Sequence, residues 1–257
     1  RLGRRLLSER GARLLHAEGR VLEAETQYRR MLAASPDDEA ALRGYAALLH
    51  DHLGNAPEAE RLYRRVLAGQ PSAAGKASAL SNLARLLHQE RGELAVAEEL
   101  YRQAQQLGAM DARALLSFAR LLDEARGNQP EAAQYYRRAL QGAPPAELPA
   151  VVDALMVRAA GRAAAQDVSG AQLLLEAVLS AEPCALWHAR AAEALAELLL
   201  AARDAPAARA PLARLLAVDQ VAAPRVLALA TRLECAARAA DAALIYRLLL
   251  DTCDAGG

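Results

Sequence analysis

The sequence predicts an all-α protein made of repeated helical hairpins. Its apolar residues are mostly Ala and Leu, with one Phe and one Trp in 257 residues, and residues of this kind lose little conformational entropy in a helix. One amphipathic phrase also recurs, as APEAERLYRRVLA from Ala56, LAVAEELYRQAQQ from Leu94 and QPEAAQYYRRALQ from Gln129. Because a catalytic site needs its residues only once, near-copies of one phrase predict duplication of a structural unit.

The second helix of each unit carries a small residue four positions before an aromatic one. The tyrosines of this signature are spaced 35, 38 and 35 residues apart. We expect the alanines to let two helices approach closely and the tyrosines to fill the gap to the next unit. The signature residues are Ala24, Tyr28, Ala59, Tyr63, Ala97, Tyr101, Ala132 and Tyr136. Weaker copies at Ala171-x3-Leu175, Ala208-x3-Leu212 and Ala242-x3-Tyr246 extend the period to about seven units.

The first helix of each unit repeats as well. It reads ALRGYAALLHDHLG from Ala41, ALSNLARLLHQERG from Ala79 and ALLSFARLLDEARG from Ala114. The apolar residues fall at i, i+3, i+4 and i+7, which is one face of a helix. Gly54, Gly92 and Gly127 suit left-handed helix caps, and Pro57 and Pro130 suit the start of the second helix. Each unit is therefore predicted to be a helix, a tight turn and a second helix.

These residues resemble the pattern of the tetratricopeptide repeat family. The second unit matches it as Leu42-x2-Tyr45-Ala46-x2-Leu49, Ala59-x3-Tyr63 and Pro71, and the fourth as Leu115-x2-Phe118-Ala119-x2-Leu122, Ala132-x3-Tyr136 and Pro144; Pro36 and Pro183 take the same closing place in units one and five. The resemblance implies a right-handed superhelical solenoid of about seven hairpins. Residues 1–147 hold four regular units, and residues 148–257 hold three degenerate, Ala-rich ones.

In the resembled family, the first helices line an inner surface that holds a peptide or a helix of another protein. Two sets of equivalent positions recur there from unit to unit. An arginine column consists of Arg13, Arg85 and Arg120, and a histidine column consists of His16, His50 and His88, with Asp123 in the fourth unit. Because of the arginines, an acidic partner is expected. The candidate partner-binding residues are Arg13, His16, Arg43, His50, Asp51, Asn82, Arg85, His88, Arg113, Ser117, Arg120 and Asp123. Arg43, Asn82 and Arg113 match three of five places in the family's carboxylate clamp, but Ala47 and Ser117 occupy the other two.

Several classes of function are not expected. The formal net charge is zero, so the positive field that favours nucleic acid is missing. Histidines on successive hairpins should lie about 8–10 Å apart, too far to share a metal ion, and we expect no metal and no cofactor. No catalytic motif is present, so we expect no enzyme. Cys184, Cys235 and Cys253 are expected to be reduced and half-buried.

The sequence leaves alternatives open for function and place. The leading prediction is a protein-interaction scaffold in a hetero-oligomeric complex; the rivals are a helical-repeat RNA-binding protein and an accessory structural subunit, including an organellar one. Apolar stretches in the last units, and Trp187, serve either the core or a second interface. No run is long and apolar enough to span a bilayer. We expect a soluble protein of the cytoplasm or an organelle lumen. Its Arg-rich start without Met fits a cleaved targeting peptide or a shortened chain.

Overall fold

The computed structural model describes residues 2–108, 110–180, 185–218 and 222–254. The chain divides into two compact units, Arg1–Gly127 and Asn128–Gly257. This boundary falls inside the fourth repeat, whereas the sequence places the change from regular to degenerate repeats after residue 147. The described residues are helical and contain no strand, so the all-α prediction is confirmed. Pro183, Cys184 and the side chain of Cys253 lie outside the described part.

The first unit contains seven α-helices in the described residues. They are α1 (Leu2–Ala17), α2 (Val21–Ala34), α3 (Glu39–Asp51), α4 (Ala56–Ala68), α5 (Ala73–Leu86), α6 (Leu94–Gln106) and α7 (Ala112–Arg126). A π-helical turn, Leu87–Arg91, extends α5. Helices α1, α3 and α5 pack on α2, α4 and α6, and the first helices α1, α3, α5 and α7 also pack side by side. We call the surface formed by these four helices the first-helix face.

The second unit continues the same alternation. Its helices are α8 (Gln129–Gly142), α9 (Leu148–Ala164), α10 (Val168–Leu179), α11 (Ala185–Ala201), α12 (Ala205–Val218), α13 (Ala223–Cys235) and α14 (Ala239–Asp254). Helix α9 packs on α10, α11 on α12 and α13 on α14. In chain order the two units together supply the predicted seven pairs of helices. No helix in the described ranges is both long and apolar enough to cross a membrane.

The repeat signature forms the core. All eight signature residues are buried, the four tyrosines at 1% exposure or less. Two of the tyrosines contact an aromatic ring on the next first helix: Tyr101 stacks on Phe118 with centroids 5.0 Å apart, and Tyr28 meets Tyr45 at 6.3 Å. A large aromatic ring between repeats explains why no hairpin buries its apolar face alone.

The turns differ between the regular and degenerate repeats. In the first unit Gly54, Gly92 and Gly127 have positive φ, as their capping role predicts. In the second unit the same left-handed conformation occurs at Gln166, Arg203 and Ala237, with φ of 63°, 63° and 59°. Side chains with a Cβ adopt this region at a cost. The degenerate repeats therefore keep the turn but have lost the glycine that relaxes it.

Two local features differ from the sequence expectation. The π-helical turn at Leu87–Arg91 was not anticipated; such turns accommodate an extra residue within a helix, here just before the left-handed Gly92. Cys235 was expected to be half-buried, but it is a free and exposed thiol. Its position as the last residue of α13, two residues beyond the buried Leu233, removes it from the packed face.

Candidate partner-binding surface

All twelve candidate partner-binding residues lie in the first unit, on the helices of the first-helix face or the π-helical turn that follows α5. Helix α1 carries Arg13 and His16, and α3 carries Arg43, His50 and Asp51. Helix α5 carries Asn82 and Arg85, the turn carries His88, and α7 carries Arg113, Ser117, Arg120 and Asp123. The periodicity thus places them on consecutive first helices, but their side chains divide into an exposed and a buried group.

Five candidate residues from four helices meet in one pocket. Arg13, His16, Arg43, Asn82 and Arg113 line a cavity of about 260 Å³. Arg13 is exposed and lies 3.8 Å from Glu9, and Arg43 lies 4.0 Å from Glu39. These distances exceed the range of a strong charge-assisted hydrogen bond. The two guanidinium groups are therefore available to an external anion.

A charge cluster lies beside this pocket. Both terminal nitrogens of Arg113 donate to Asp51, at 2.7 and 2.8 Å, and Arg85 forms an ion pair with the same carboxylate at 2.7 Å. Burial opposes ionisation of Asp51, but the two guanidinium groups outweigh it and lower the pKa of the carboxyl group. The cluster ties α3 to α5 and α7 and fixes the position of Arg113.

Four of the twelve residues are buried. His50, Arg85, Ser117 and Asp123 are 5–9% exposed. They lie within the packing between helices, so they offer almost no surface to a partner and would act on one only through their neighbours. Arg85 in particular faces Asp51 rather than solvent.

Burial disfavours the charged form of three of the histidines. Desolvation by burial is the largest cause that lowers the pKa of His16, His50 and His88. The rings of His16 and His52 meet edge to face with centroids 5.0 Å apart. Within the part of the chain that the structure describes, no group of three or more His, Cys, Asp or Glu residues is placed to hold a metal ion.

Sequence reasoning missed the floor of the pocket. Tyr28, assigned to the core, also lines the cavity together with Gly44. An added Cβ on Gly44 would lie 2.6–2.7 Å from the tip of the Tyr28 ring, so only glycine permits this approach. The signal in the sequence was the glycine inside the helical phrase ALRGYAALLH. Glycine destabilises the middle of a helix, so its presence there indicates a close contact that requires it.

The second unit offers a more apolar surface. Leu200, Leu229 and Leu233 line a pocket of about 290 Å³ between α11 and α13, with Glu197 and Arg232 at its edge. Glu197 and Arg232 form an exposed ion pair at 3.2 Å. Most leucines of the stretch ALAELLLAAR are buried, so that stretch belongs to the core. On α14, by contrast, Leu250 is 64% exposed, and Trp187 at the start of α11 is partly buried.

Comparison with known proteins identifies the fold. No family model and no curated protein matches the sequence. PilF of Pseudomonas aeruginosa has a similar structure, with 16% identity over 84% of this chain and 92% of that chain, and a TM-score of 0.53. The C-terminal part of a tetratricopeptide repeat-containing protein from Cytophaga hutchinsonii is also similar, with 14% identity, 95% and 94% coverage and a TM-score of 0.53.

A third similar structure is the anaphase-promoting complex hetero-tetramer Cut9–Hcn1, with 15% identity and a TM-score of 0.54. There the match covers 95% of this chain and 43% of that chain. Identities this low establish the fold alone. The chain has the fold of tetratricopeptide repeat proteins, as its repeated residues predict.

Proposed function

We propose that this protein is a non-catalytic interaction module whose first-helix face holds a segment of a partner protein. The observation that carries the proposal is the pocket to which all four first helices contribute: Arg13 from α1, Arg43 from α3, Asn82 from α5 and Arg113 from α7. A segment lying across this face would contact each repeat in turn. A repeated fold suits this role, because stacked units extend a binding surface without requiring a single reactive centre.

The chemistry of the pocket favours an acidic partner. Three arginines and an asparagine amide line it, and Glu9 is the only carboxylate among its lining residues. Arginine binds carboxylates through paired, charge-assisted hydrogen bonds. Ala47 also lines the pocket and Ser117 is buried, so the family's five-residue clamp is incomplete. The acidic group would depend on the arginine forks and Asn82.

The interaction module would work within a larger assembly. Proteins of this fold include a component of the Cut9–Hcn1 hetero-tetramer, which supports interaction as the class of function. The exposed Leu250 on α14 would then serve as a second contact, for a subunit of the same complex.

Affinity purification with matched charge reversals tests the proposal. The face variant is Arg13→Glu with Arg43→Glu. The control, Arg30→Glu with Arg61→Glu, makes the same change in charge at exposed sites on the second helices α2 and α4. Quantitative mass spectrometry compares the proteins recovered from the source cells, after circular dichroism has verified the helical content of all three proteins.

We expect one set of proteins to be recovered by the wild type and the control and to fall roughly tenfold with the face variant, as the loss of one or two charge-assisted contacts implies. Equal recovery by all three would contradict the proposal and favour contacts elsewhere on the protein. Recovery of RNA that is lost at raised salt would favour the RNA-binding alternative.

A further inference from the structure

The floor of the first-helix pocket contains buried donors that have no acceptor. The Tyr28 side chain is 1% exposed, and among the described residues its hydroxyl has no hydrogen-bond partner. The Nε of Arg43 is also buried, and it too has no hydrogen-bond partner among the described residues. Buried polar groups in native proteins are normally paired, and each exception calls for an explanation. Two such groups at one cavity point to a partner that is supplied from outside.

Tyr28 lines the cavity together with Gly44. The tip of its ring lies against Gly44, where a Cβ would come within 2.7 Å of the hydroxyl oxygen. Burial raises the pKa of Tyr28, and Glu9 adds to this while Arg13 and Arg43 oppose it. The phenol therefore stays protonated at neutral pH and can donate. Asn82, whose amide lies 3.5 Å from the Ser78 hydroxyl, adds a donor that is only weakly engaged.

The charge of the pocket exceeds what one carboxylate would balance. Its lining residues include three arginines and one glutamate, a net formal charge of +2. Asp51 lies next to Arg113, but it also pairs with Arg85, so the Asp51–Arg85 pair adds no net charge. Glu39 is not among the lining residues: its carboxylate lies 4.0 Å from Arg43 and is held at the start of α5 by hydrogen bonds from the backbone N–H and the hydroxyl of Ser72.

A phosphate monoester fits this combination of charge and donors. It carries between one and a half and two negative charges at pH 7 and presents three strong acceptor oxygens. At that pH the doubly charged phosphate group only accepts hydrogen bonds, and the unpaired groups of the pocket are hydrogen-bond donors, so the two are complementary. A carboxylate carries one charge and two oxygens, and would leave part of the cationic lining unmatched.

We propose that this pocket takes the phosphate of a phosphorylated side chain on the partner segment, held by Arg13 and Arg43 with Tyr28 and Asn82 donating from the floor. The inference rests on the proposed function, because it assumes that a partner segment lies on the first-helix face. Gly44 is the residue that keeps the floor open. Arg113, held by Asp51, borders the site and orients the segment.

The test uses the full chain and three fluorescent nonapeptide libraries. Eight positions are randomised, and the central position is phosphoserine, serine or glutamate. Fluorescence anisotropy should give the tightest binding for the phosphoserine library, roughly tenfold tighter than the serine library and several-fold tighter than the glutamate library. Equal affinities for the phosphoserine and glutamate libraries would overturn the inference, as would the absence of binding by all three.

Competition identifies the source of the phosphate. N-acetyl-phosphoserine amide and inorganic phosphate should displace the phosphoserine library only at concentrations far above those of an unlabelled phosphopeptide. If inorganic phosphate competes as well as the phosphopeptide, the pocket binds a small phosphorylated molecule and the partner-segment assignment is wrong.

Variants separate the floor of the pocket from the rest of the face. Tyr28→Phe and Asn82→Ala should each reduce the preference for phosphoserine several-fold while leaving binding of the serine library unchanged, and Arg13→Ala should reduce it roughly tenfold. Arg30→Ala, an exposed arginine on α2, is the matched control and should change nothing. An unchanged preference in Tyr28→Phe and Arg13→Ala, with native helical content, would overturn the assignment.

The outcome also distinguishes this inference from the function on which it rests. If the serine and glutamate libraries bind and lose affinity in the Arg13→Glu/Arg43→Glu variant, but phosphorylation adds nothing, the first-helix face binds partners and the phosphate assignment fails. If no library binds and cellular partners are also insensitive to that variant, both proposals fail.

Discussion

Removal of the Asp51 carboxylate should destabilise the first unit strongly. In the structure Asp51 is 13% exposed and its partner Arg85 is 10% exposed, with 2.7 Å between the charged atoms. Asp51→Ala would leave the Arg85 guanidinium buried without a counter-charge and would also release Arg113. Loss of one partner of a buried ion pair costs about 3–5 kcal/mol. Because both groups retain slight exposure, we expect the lower end, about 3 kcal/mol.

The chain provides a matched control in an exposed ion pair. Arg65 and Asp37 lie 2.8 Å apart, but their side chains are 42% and 84% exposed. Exposed pairs contribute about 0–1 kcal/mol, so Asp37→Ala should have little effect. Urea unfolding followed by circular dichroism gives the free energies, and amide exchange in α3 and α5 locates the change. If Asp51→Ala costs no more than Asp37→Ala, the Asp51 cluster does not hold the first-helix face together.

Three further predictions concern the core, pH and the turns. Tyr63→Ala should lower the free energy of unfolding in urea by about 3–5 kcal/mol because the ring is fully buried. Tyr63→Phe should be neutral or stabilising by up to about 1 kcal/mol, because the buried hydroxyl of Tyr63 has no partner among the described residues. Equal losses of stability in the two variants would contradict this prediction. The pKa of His16, His50 and His88 is lowered from 6.5 by desolvation, so the folded state binds protons less readily than the unfolded state. Stability should therefore fall as pH drops below about 6.5, and a urea midpoint that is constant or higher at pH 5.5 would refute it. Ala237→Gly should raise the unfolding free energy by about 1 kcal/mol because Ala237 has a φ of 59°; a lower melting temperature would show that the turn is not strained.

The repeated residues predict the fold because each signals one local event. Alanine at Ala59 permits close approach, Tyr63 fills the gap to the next helix, and Gly92 reverses the chain. Short-range patterns of this kind repeat with the helical period, so they can be read without tertiary information. The pairs of helices and the burial of the signature residues follow from them.

The candidate site is less accessible to sequence reasoning. A repeat alignment places Arg85 and Arg120 in one column, but Arg85 turns inward to Asp51 while Arg120 stays partly exposed. That difference depends on Asp51, 34 positions earlier in the chain. The contact between Gly44 and Tyr28 likewise depends on the distance between two helices. An aligned repeat position predicts which face of the helix a residue lies on. The residues around it in the folded protein determine whether its side chain is exposed to a partner.

Photo-crosslinking from within the pocket tests the central proposal most directly. A photoreactive amino acid replaces Ala47, which lines the pocket, and in a second protein replaces Arg30 on the exposed side of α2. After irradiation in the source cells, mass spectrometry identifies the attached peptides. We expect one set of partner segments, rich in acidic or phosphorylated residues, attached at position 47 and not at position 30. The same peptides at both positions, or none at position 47 alongside stable partners, would contradict the proposed role of the first-helix face.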